Sequence, residues 1–283
     1  MRPRSRVRGE PPEGPPWDVP MAEAELAFVD LEMTGLDPEL DRVVEVCVER
    51  VVGGEVVARL SSLTRPDDGR VGSEHIHGIQ PEMLASAPAF AELADEVLRV
   101  LRGAIVVAHG ASWDVAFLEA ELARTGHAHT IPFSLDTLTL SRRSFGFRSH
   151  SLASLARELS LDAPRAHRAD ADVRVLRQVF DAVVRELGAA TPRDLWHVKL
   201  GAGYARPAVM EVIEAARLSG QPVALRYRPS GRGPQEMSFV VTAVARDLDP
   251  PRVHGYQLRS RSRRELRADR ILGARLDTPP GAS

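Results

Sequence analysis

The sequence predicts an α/β fold followed by a small, barrel-like β domain. Strand and helix signals alternate between about residues 24 and 187, and they begin with a strand hairpin. A stretch containing Gly, Pro and Thr follows without clear periodicity. Beyond it, one helix precedes several short strand-like segments, which suggests a small barrel-like domain.

Each predicted element rests on its own pattern. "AELAFVDLEM" is a short apolar run that ends in acids, and Gly53 and Gly54 interrupt an alternating stretch, which is typical of a hairpin. The helices predicted next are "FAELADEVLRVLRG", "DVAFLEAELARTG", two short ones in "SLDTLTLSRR" and "SLASLARELSL", and a longer one in "ADADVRVLRQVFDAVVREL". "AIVVAHG" predicts a buried strand between the first two of these helices.

The domain boundaries follow from these patterns. We expect a disordered Pro- and Arg-rich leader over 1–22, an α/β domain over 23–187 and a linker or packing arm over 188–205. The β domain is expected over 206–278, with a disordered tail at 279–283. It would contain the helix "AVMEVIEAARLSG" and the strands "PVALRYRPSG", "EMSFVVTAVARDL", "RVHGYQLRSRS" and "RELRADRILGARL".

Composition narrows the functional class only slightly. The chain has 283 residues, of which 43% are hydrophobic and 27% charged, as in an ordinary globular protein. No apolar stretch approaches the roughly 20 residues needed to cross a bilayer, and the basic N-terminus lacks a signal-peptide core. Cys47 is the single cysteine, so an intrachain disulfide is impossible and a cytoplasmic location is expected.

The most informative residues are acids set among apolar ones. Asp30 and Glu32 lie two positions apart in the first predicted strand, so their side chains project from the same face. Buried carboxylates are costly unless a cation accompanies them. The alternative is an edge strand whose acids are solvated, and the pair alone favours that alternative.

Two further clusters follow strands or begin helices. Asp114 lies where the helix after "VVAHGASW" begins, and taken alone it is more typical of a helix N-cap. His167 precedes Asp172 by five residues at the start of the longest helix, where the alternative is a surface His and an Asp near the helix dipole. Asp170 is expected to be the N-cap of that helix.

Together the three clusters favour a metal site. Four carboxylates and one histidine at element ends could converge at one edge of a sheet. Their hard oxygen atoms suit Mg²⁺ or Mn²⁺, and zinc-like Cys or His spacing is absent. Two such ions roughly 4 Å apart are the usual arrangement for in-line phosphoryl displacement.

The motifs Asp30-x-Glu32 with "TGLD", "AHGASWD" ending in Asp114, and His167 with Asp172 resemble the three motifs of the DEDDh 3′–5′ exonucleases. The resemblance covers roughly residues 24–187 and includes "HGIQPEML". The first motif is similar to that of oligoribonucleases, and the second to that of the epsilon proofreading subunit of bacterial polymerases. The resemblance to the DEDDh exonucleases implies an RNase H-like fold with a mixed central sheet flanked by helices.

The resemblance also implies a mechanism. Asp30 would bridge two divalent ions, Glu32 and Asp172 would hold the ion that activates water, and Asp114 would support the second. His167 would be the general base. The products would be nucleoside 5′-monophosphates released from the 3′ ends of single-stranded DNA or RNA.

Residues expected to contact the terminal nucleotide surround the motifs. Leu36 would act as an apolar wedge, and His77 could equally serve in packing. Gly110 and Trp113 depart from the Asn and Phe that are common in the proofreading relatives, which leaves substrate preference open. The full expected set is Thr34, Gly35, Leu36, His77, Gly110 and Trp113.

The C-terminal segment resembles a WYL domain, a small Sm-like β-barrel. "IEAARLSGQPVALRYRP" and "RRELRADRILGARL" carry the resemblance, whereas "HGYQL" keeps the Tyr and Leu of the name-giving triplet without its Trp. The family implies that basic residues bind a nucleic acid or nucleotide. The alternative is that these arginines pair with Asp247, Glu265 and Asp269. The candidates for binding are Arg226, Arg228, Tyr256, Arg259, Arg264 and Arg267.

Three functions compete at this point. The first is a metal-dependent 3′–5′ exonuclease with a C-terminal nucleic-acid-binding or regulatory module, acting alone or with a polymerase or repair complex and without a membrane. The second is a non-catalytic nucleic-acid sensor on an exonuclease fold, against which the complete acid set argues. The third is an RNase H-like endonuclease, and the spacing of His167 and Asp172 favours the exonuclease over it.

Overall fold

A computed structural model of the chain describes residues 9–162, 167–200, 207–229, 234–248 and 250–277. These residues form two units. The first consists of the described parts of Met1–Ser141, Ser149–Val183 and Ala190–Arg193, and the second of the described parts of Arg142–Arg148, Val184–Ala189 and Asp194–Ser283. Residues 1–8, 201–206 and 279–283, which belong to the predicted leader, linker and tail, lie outside the described residues.

The first unit contains a five-stranded mixed sheet in the order β3-β2-β1-β4-β5. β1 lies at its centre, antiparallel to β2 and parallel to β4. The first predicted strand is therefore not an edge strand, and the solvated-edge interpretation of its acids is wrong. The strands are β1 (Leu26–Met33), β2 (Val43–Val52), β3 (Glu55–Leu63), β4 (Ile105–Ala108) and β5 (Ser134–Asp136).

The predicted hairpin joins β2 to β3. Gly53 and Gly54 have φ angles of 59° and 86°, so both occupy the left-handed region that a two-residue type I′ turn requires. Glycine adopts this region without the steric cost that a Cβ would bring. The prediction made from the two glycines is confirmed.

Seven helices and helical turns accompany this sheet in the described residues. "SLDTLTLSRR", predicted to be wholly helical, begins instead with the short strand β5, because Ser134, Leu135 and Asp136 pair with β4. The helices are α1 (Glu74–His77), α2 (Pro81–Leu84), α3 (Phe90–Leu101), α4 (Ser112–Arg124), α5 (Thr137–Ser144), α6 (Leu152–Glu158) and α7 (Ala169–Leu187).

The two faces of β1 differ in what covers them. Val29 and Leu31 belong to the apolar core that includes residues of α3 and α4, such as Val97 and Phe117. On the opposite face, Phe28 of β1 packs edge-on against Phe180 of α7, with ring centroids 5.3 Å apart. Since side chains alternate along a strand, Asp30 and Glu32 share the face that α7 covers.

Two segments outside the main α/β pattern contain ordered features. Trp17, in the predicted leader, is 5% exposed and packs against Phe133. The predicted linker contains a helix, α8 (Pro192–Leu200), in which Trp196 is buried. The disorder of the leader and the boundaries of the linker stay predictions.

The second unit contains a helix, α9 (Pro207–Ser219), and a five-stranded antiparallel sheet in the order β10-β6-β7-β8-β9. Ile213 of α9 packs with Val223, Phe239 and Val253 in its core. The predicted barrel is not confirmed, because the described strand pairs end at β9 and β10, each of which pairs on one edge only. The strands are β6 (Val223–Tyr227), β7 (Gln235–Ala245), β8 (Arg252–Gln257), β9 (Arg263–Arg267) and β10 (Ile271–Leu276).

Among the described residues, no helix has the length and apolar character that a membrane span requires.

Candidate active site

The sheet carries the acids of β1 beyond its parallel neighbour. β4 pairs with β1 only along Leu26–Phe28, so Asp30 and Glu32 extend past the carboxyl end of β4. The chain leaves β4 at Ala108 and enters α4 at Ser112. The carboxyl ends of parallel strands are where open α/β sheets form their sites. The topology therefore brings the first two motifs together.

The helix α7 brings the third motif to the same place. Asp172 lies eight residues before Phe180, about 12 Å along a helix, while Glu32 lies four residues after Phe28, about 13 Å along a strand. With Phe28 packed on Phe180, the opposite chain directions set Asp172 beside the acids. Carboxylate oxygens of Asp30, Glu32 and Asp172 lie within 4.8 Å of one another.

Asp114 approaches from the other side of β1. It is the third residue of α4, so it occupies the first helical turn and is not the N-cap that its sequence position suggests. Its side chain is buried and accepts hydrogen bonds from its own backbone N–H and from that of Leu31. The second bond ties the helix to the backbone of β1 between Asp30 and Glu32.

Burial and mutual repulsion make these acids hard to ionise. Burial and then the charge of Asp172 raise the pKa of Glu32 from 4.5 to about 8, and burial raises the pKa of Asp114 from 3.8 to about 7. Asp30 has its pKa raised by burial and by the charges of Asp114 and Asp172, and burial also raises the pKa of Asp172. Clustered carboxylates of this kind call for a compensating cation.

The residues present fit a divalent metal ion. The converging donors are carboxylate oxygens, the ligand type that Mg²⁺ and Mn²⁺ prefer. The raised pKa values indicate that positive charge is what the cluster lacks. We conclude that the site is metal-dependent, with Asp30, Glu32 and Asp172 as candidate ligands and Asp114 adjoining them.

His167 lies at the edge of this cluster. Its side chain is exposed, and its φ of 62° is in the left-handed region, which is uncommon for a residue other than glycine. Its backbone N–H donates to Asp172 Oδ2 at 3.2 Å. The fold therefore places a solvent-accessible histidine directly against a candidate metal ligand.

The turn after β1 is organised by Asp41, which sequence reasoning missed. Asp41 accepts hydrogen bonds from the hydroxyl of Thr34 at 3.1 Å and from the backbone N–H of Asp37 at 2.8 Å. A Cβ on Gly35 would lie 2.4 Å from Asp41 Oδ2, so a larger residue there would displace the Asp41 side chain from these bonds. Leu36, at the tip of the turn, is 69% exposed and available for contact with a ligand.

The loop before α4 is held by Asp136, also absent from the sequence-based site. Asp136 accepts hydrogen bonds from the backbone N–H of Gly110 at 2.8 Å and from the hydroxyl of Thr139 at 2.6 Å, and its charge contributes to the raised pKa of Asp114. Gly110 has a φ of 87°, a region in which Asn is also enriched. Trp113 packs against the core of the first unit.

His77 is 4% exposed and belongs to α1. Its Nδ1 accepts a hydrogen bond from the backbone N–H of Ile79 at 3.0 Å, and its Nε2 has no hydrogen-bond partner among the described residues. Burial lowers the pKa of this imidazole. The neighbouring Gly72 packs against Thr34, because a Cβ on Gly72 would lie 2.0 Å from the Thr34 carbonyl oxygen.

The candidate arginines of the C-terminal unit divide into two groups. Arg226 pairs with Glu186, and Arg267 donates to Asp269 at 2.8 Å, so ion pairing accounts for these two. Glu265 pairs with Arg252, which was not a candidate. Arg228 is half-buried, Arg259 and Arg264 are exposed, and Tyr256 is half-buried on β8. Binding of a nucleic acid by this unit stays a prediction.

A mixed sheet that gathers carboxylates from β1, α4 and α7, with an exposed histidine at their edge, defines a metal-dependent nuclease site. Residues 27–180 match the RNase T family of exonucleases. This match covers more than half of the chain, and the chain belongs to this exonuclease family.

The relatives found by sequence include parts of polymerases. The chain is 36% identical over 166 residues to DNA polymerase III PolC-type of Thermotoga maritima, and 31% identical over 170 residues to the 3′-5′ exonuclease DinG of Bacillus subtilis. It is 32% identical over 159 residues to DNA polymerase III subunit epsilon of Treponema pallidum. The matched regions cover 12%, 18% and 74% of these three proteins and 55–59% of this chain.

Solved structures of exonuclease I share the fold. The zinc-bound complex of E. coli exonuclease I with single-stranded DNA matches 83% of this chain and 55% of its own, with a TM-score of 0.55 and 17% identity. Its complex with a dT13 oligonucleotide matches with a TM-score of 0.53 and 15% identity. Because 83% of the chain exceeds the share taken by residues 27–180, the structural likeness extends beyond the exonuclease family match.

Proposed function

We propose that the protein is a 3′–5′ exonuclease that removes nucleoside 5′-monophosphates from single-stranded DNA or RNA ends with two Mg²⁺ or Mn²⁺ ions. The observation that carries this proposal is the meeting of Asp30, Glu32 and Asp172 oxygens within 4.8 Å. The complete set of acids and His167 argues against the non-catalytic sensor. The relative named as a 3′-5′ exonuclease supports the polarity.

The protein's own groups have distinct tasks in this reaction. Bound ions would supply charge stabilisation at the attacked phosphate. Asp30, Glu32, Asp114 and Asp172 would hold the ions, whose positive charge would keep these carboxylates ionised. His167 is exposed to water and accepts the proton of the attacking water molecule, the task for which an imidazole is suited.

The terminal nucleotide would lie along the turn after β1. Exposed Leu36 offers an apolar surface to a base, the Thr34 hydroxyl bonds Asp41, and Asp41 lies close to Gly35. We place His77, Gly110 and Trp113 at the margin of this nucleotide-binding surface. Gly72 packs on Thr34, which links the loop before α1, and so His77, to the turn.

The C-terminal unit is proposed to bind the phosphate backbone of the nucleic acid. Burial and the nearby charges of Arg143 and Arg270 lower the pKa of Arg228, which indicates a concentration of positive charge suited to phosphate. Arg259 and Arg264 are exposed and would contact further phosphates, and Tyr256 would stack a base. An Sm-like arrangement is supported by the last strand, β10, which returns to pair with the first, β6.

We also propose a cellular location and a partner for the protein. The single cysteine fits a cytoplasmic protein. Resemblance to the epsilon subunit suggests a polymerase or repair complex as a partner.

The proposal is tested with linear and circular single-stranded DNA and with linear RNA, all labelled, in the presence of Mn²⁺. We expect linear DNA or RNA to shorten from the 3′ end and circular DNA to stay intact. Asp30→Asn and EDTA should abolish shortening, whereas Asp95→Asn, at a carboxylate whose side chain is 96% exposed, should not. Cleavage of the circle would indicate an endonuclease, and binding without cleavage would indicate the sensor.

The C-terminal proposal is tested in the full chain carrying Asp30→Asn, so that the nucleic acid survives. Arg259→Ala combined with Arg264→Ala should weaken the binding of a long single strand and should reduce the salt dependence of that binding. Arg246→Ala is the control, because Arg246 already pairs with Glu214 at 3.1 Å. Equal binding by the two variants would count against the module as a nucleic-acid site.

A further inference from the structure

A buried carboxylate on β2 faces the acid cluster without being one of its proposed ligands. Glu45 is 3% exposed and lies directly opposite Glu32 in the β1–β2 ladder. Like charges opposite each other on adjacent strands are destabilising unless a cation intervenes. The charge of Glu45 contributes to the raised pKa values of Glu32 and Asp172. A buried negative charge at Glu45, opposite Glu32, therefore needs a compensating cation.

Arg168 supplies the cation. Its Nη2 lies 2.7 Å from Glu45 Oε1, and its Nε lies 3.1 Å from each Glu45 oxygen. This arrangement engages both oxygens of the carboxylate, which fixes orientation as well as distance. Arg168 also acts on Glu32, since its charge lowers the pKa of that residue.

The same carboxylate holds the start of α7. Glu45 Oε2 accepts the backbone N–H of Ala169 at 3.0 Å, and the carbonyl of Arg168 accepts the N–H of Asp172 at 2.9 Å. A negative charge at a helix N-terminus is favourable. Asp170 is thus a residue of the first turn and not the N-cap predicted from the sequence, because Glu45 of another strand satisfies the first free N–H.

The residue just before this anchor is His167. Its left-handed backbone is sparsely populated for a non-glycine residue and persists only where the surroundings hold it. Two described contacts do so: the bond from its N–H to Asp172 and the attachment of Arg168 to Glu45.

We propose that Arg168, held by Glu45, is a positioning residue that fixes the first turn of α7 and thereby aims His167 and Asp172 at the reacting phosphate. This inference rests on the proposed function. The chemistry implied is indirect: Arg168 acts through its neighbours and touches neither substrate nor metal ion.

The structure offers a matched control. Arg177 of the same helix pairs with Glu49 of the same strand at 2.9 Å, away from the motif residues. The test therefore compares Arg168→Gln with Arg177→Gln in the full chain, using kcat and KM on a single-stranded substrate with Mn²⁺. We expect Arg168→Gln to lower kcat by about 10- to 100-fold, as loss of an orienting partner does, with KM little changed. Arg177→Gln should leave kcat near the wild-type value.

Two further readouts separate positioning from general stability. Hydrogen exchange of the metal-free protein should be faster over the first turn of α7 in Arg168→Gln than in Arg177→Gln. In a double-mutant cycle, Arg168→Gln should cost less in a His167→Ala background than in the wild type, because both changes remove one function.

The inference is overturned if Arg168→Gln lowers kcat no more than Arg177→Gln does, or if it mainly raises KM. It is also overturned if hydrogen exchange over the first turn of α7 is unchanged in Arg168→Gln, or if Arg168→Gln lowers kcat as much in the His167→Ala background as in the wild type. A wild-type protein without 3′–5′ activity would instead refute the proposed function. The two failures are thus distinguishable.

Discussion

In the absence of divalent cations, the folded protein should become less stable as the pH rises from mildly acidic to mildly alkaline values. The folded state raises the pKa of Asp114 from 3.8 to about 7 and that of Glu32 from 4.5 to about 8. For an acid whose folded pKa is raised, the folded state binds the proton more tightly than the unfolded state does. The stabilisation is fully present below the unfolded pKa and is lost as the pH rises through the folded pKa.

The magnitude follows from Asp114, which is 6% exposed. Between about pH 5.5 and its folded pKa of about 7 lie roughly 1.5 units, each worth about 1.4 kcal/mol. Asp114 alone therefore accounts for a loss of about 2 kcal/mol by about pH 8. In a domain of this size, that corresponds to a fall of roughly 4–8 °C in Tm. Glu32 adds to this fall in the same direction.

The assay measures Tm in EDTA at about pH 5.5 and at about pH 8. Mn²⁺ is then added in excess of EDTA to the sample at the higher pH. Mn²⁺ should raise Tm there, because it binds the folded state. Asp114→Asn should reduce the fall in Tm between the two pH values, and Asp95→Asn should not. A metal-free protein that is as stable at about pH 8 as at about pH 5.5, or an Asp114→Asn variant that keeps the full decline, would refute the reasoning.

Two other predictions concern the supports of the site. Glu121 is fully buried on α4 and bonds Arg42 at 2.8 Å, so Glu121→Ala should lower the free energy of unfolding by about 3–5 kcal/mol. Glu96→Gln, in a solvent-exposed pair with Arg99, should leave the free energy of unfolding almost unchanged. Chemical denaturation measures both, and equal effects would contradict the assigned role of burial. Gly72→Ala should reduce both stability and activity, because its Cβ would lie 2.0 Å from the Thr34 carbonyl oxygen at a φ of +55°. Wild-type Tm and turnover in that variant would contradict the close packing.

The sequence predicted the acid pairs because strand geometry is regular. Asp30 and Glu32 had to share a face, and Phe28 on that same face packs against α7. The glycines of the hairpin, the helices α3, α4 and α7 and the strand β4 were predictable for similar local reasons. What the sequence alone could not decide was whether β1 lay at the centre or the edge, since this depends on pairings between distant segments.

The supporting residues escaped prediction for the same reason. Glu45 acts on Arg168 across 123 positions, and Asp136 acts on Gly110 through the pairing of β4 with β5. An alternating strand that keeps Glu45 and Glu49 on one face was the available signal, because two acids on one face of a buried strand require partners.

The C-terminal unit shows the limit of pattern-based inference. Its helix and strands were predicted, whereas the partners of Arg226 and Arg267 were not all foreseen. Asp269 was expected to pair with an arginine and does, but Arg226 pairs with Glu186, which lies about 40 positions away in the chain. Arginine clusters in a sequence do not reveal which guanidinium groups are already engaged.

The most direct test of the account is the identity of the product formed in ¹⁸O-labelled water. Wild-type protein with Mn²⁺ and a single-stranded substrate should release nucleoside 5′-monophosphates that carry one ¹⁸O atom on phosphorus. Asp30→Asn should lose this product, and His167→Ala should form it only at a strongly reduced rate. That result would establish water attack at the terminal phosphodiester by the acid cluster and His167. Products that are longer fragments or nucleoside 3′-phosphates, or unchanged release by either variant, would contradict it.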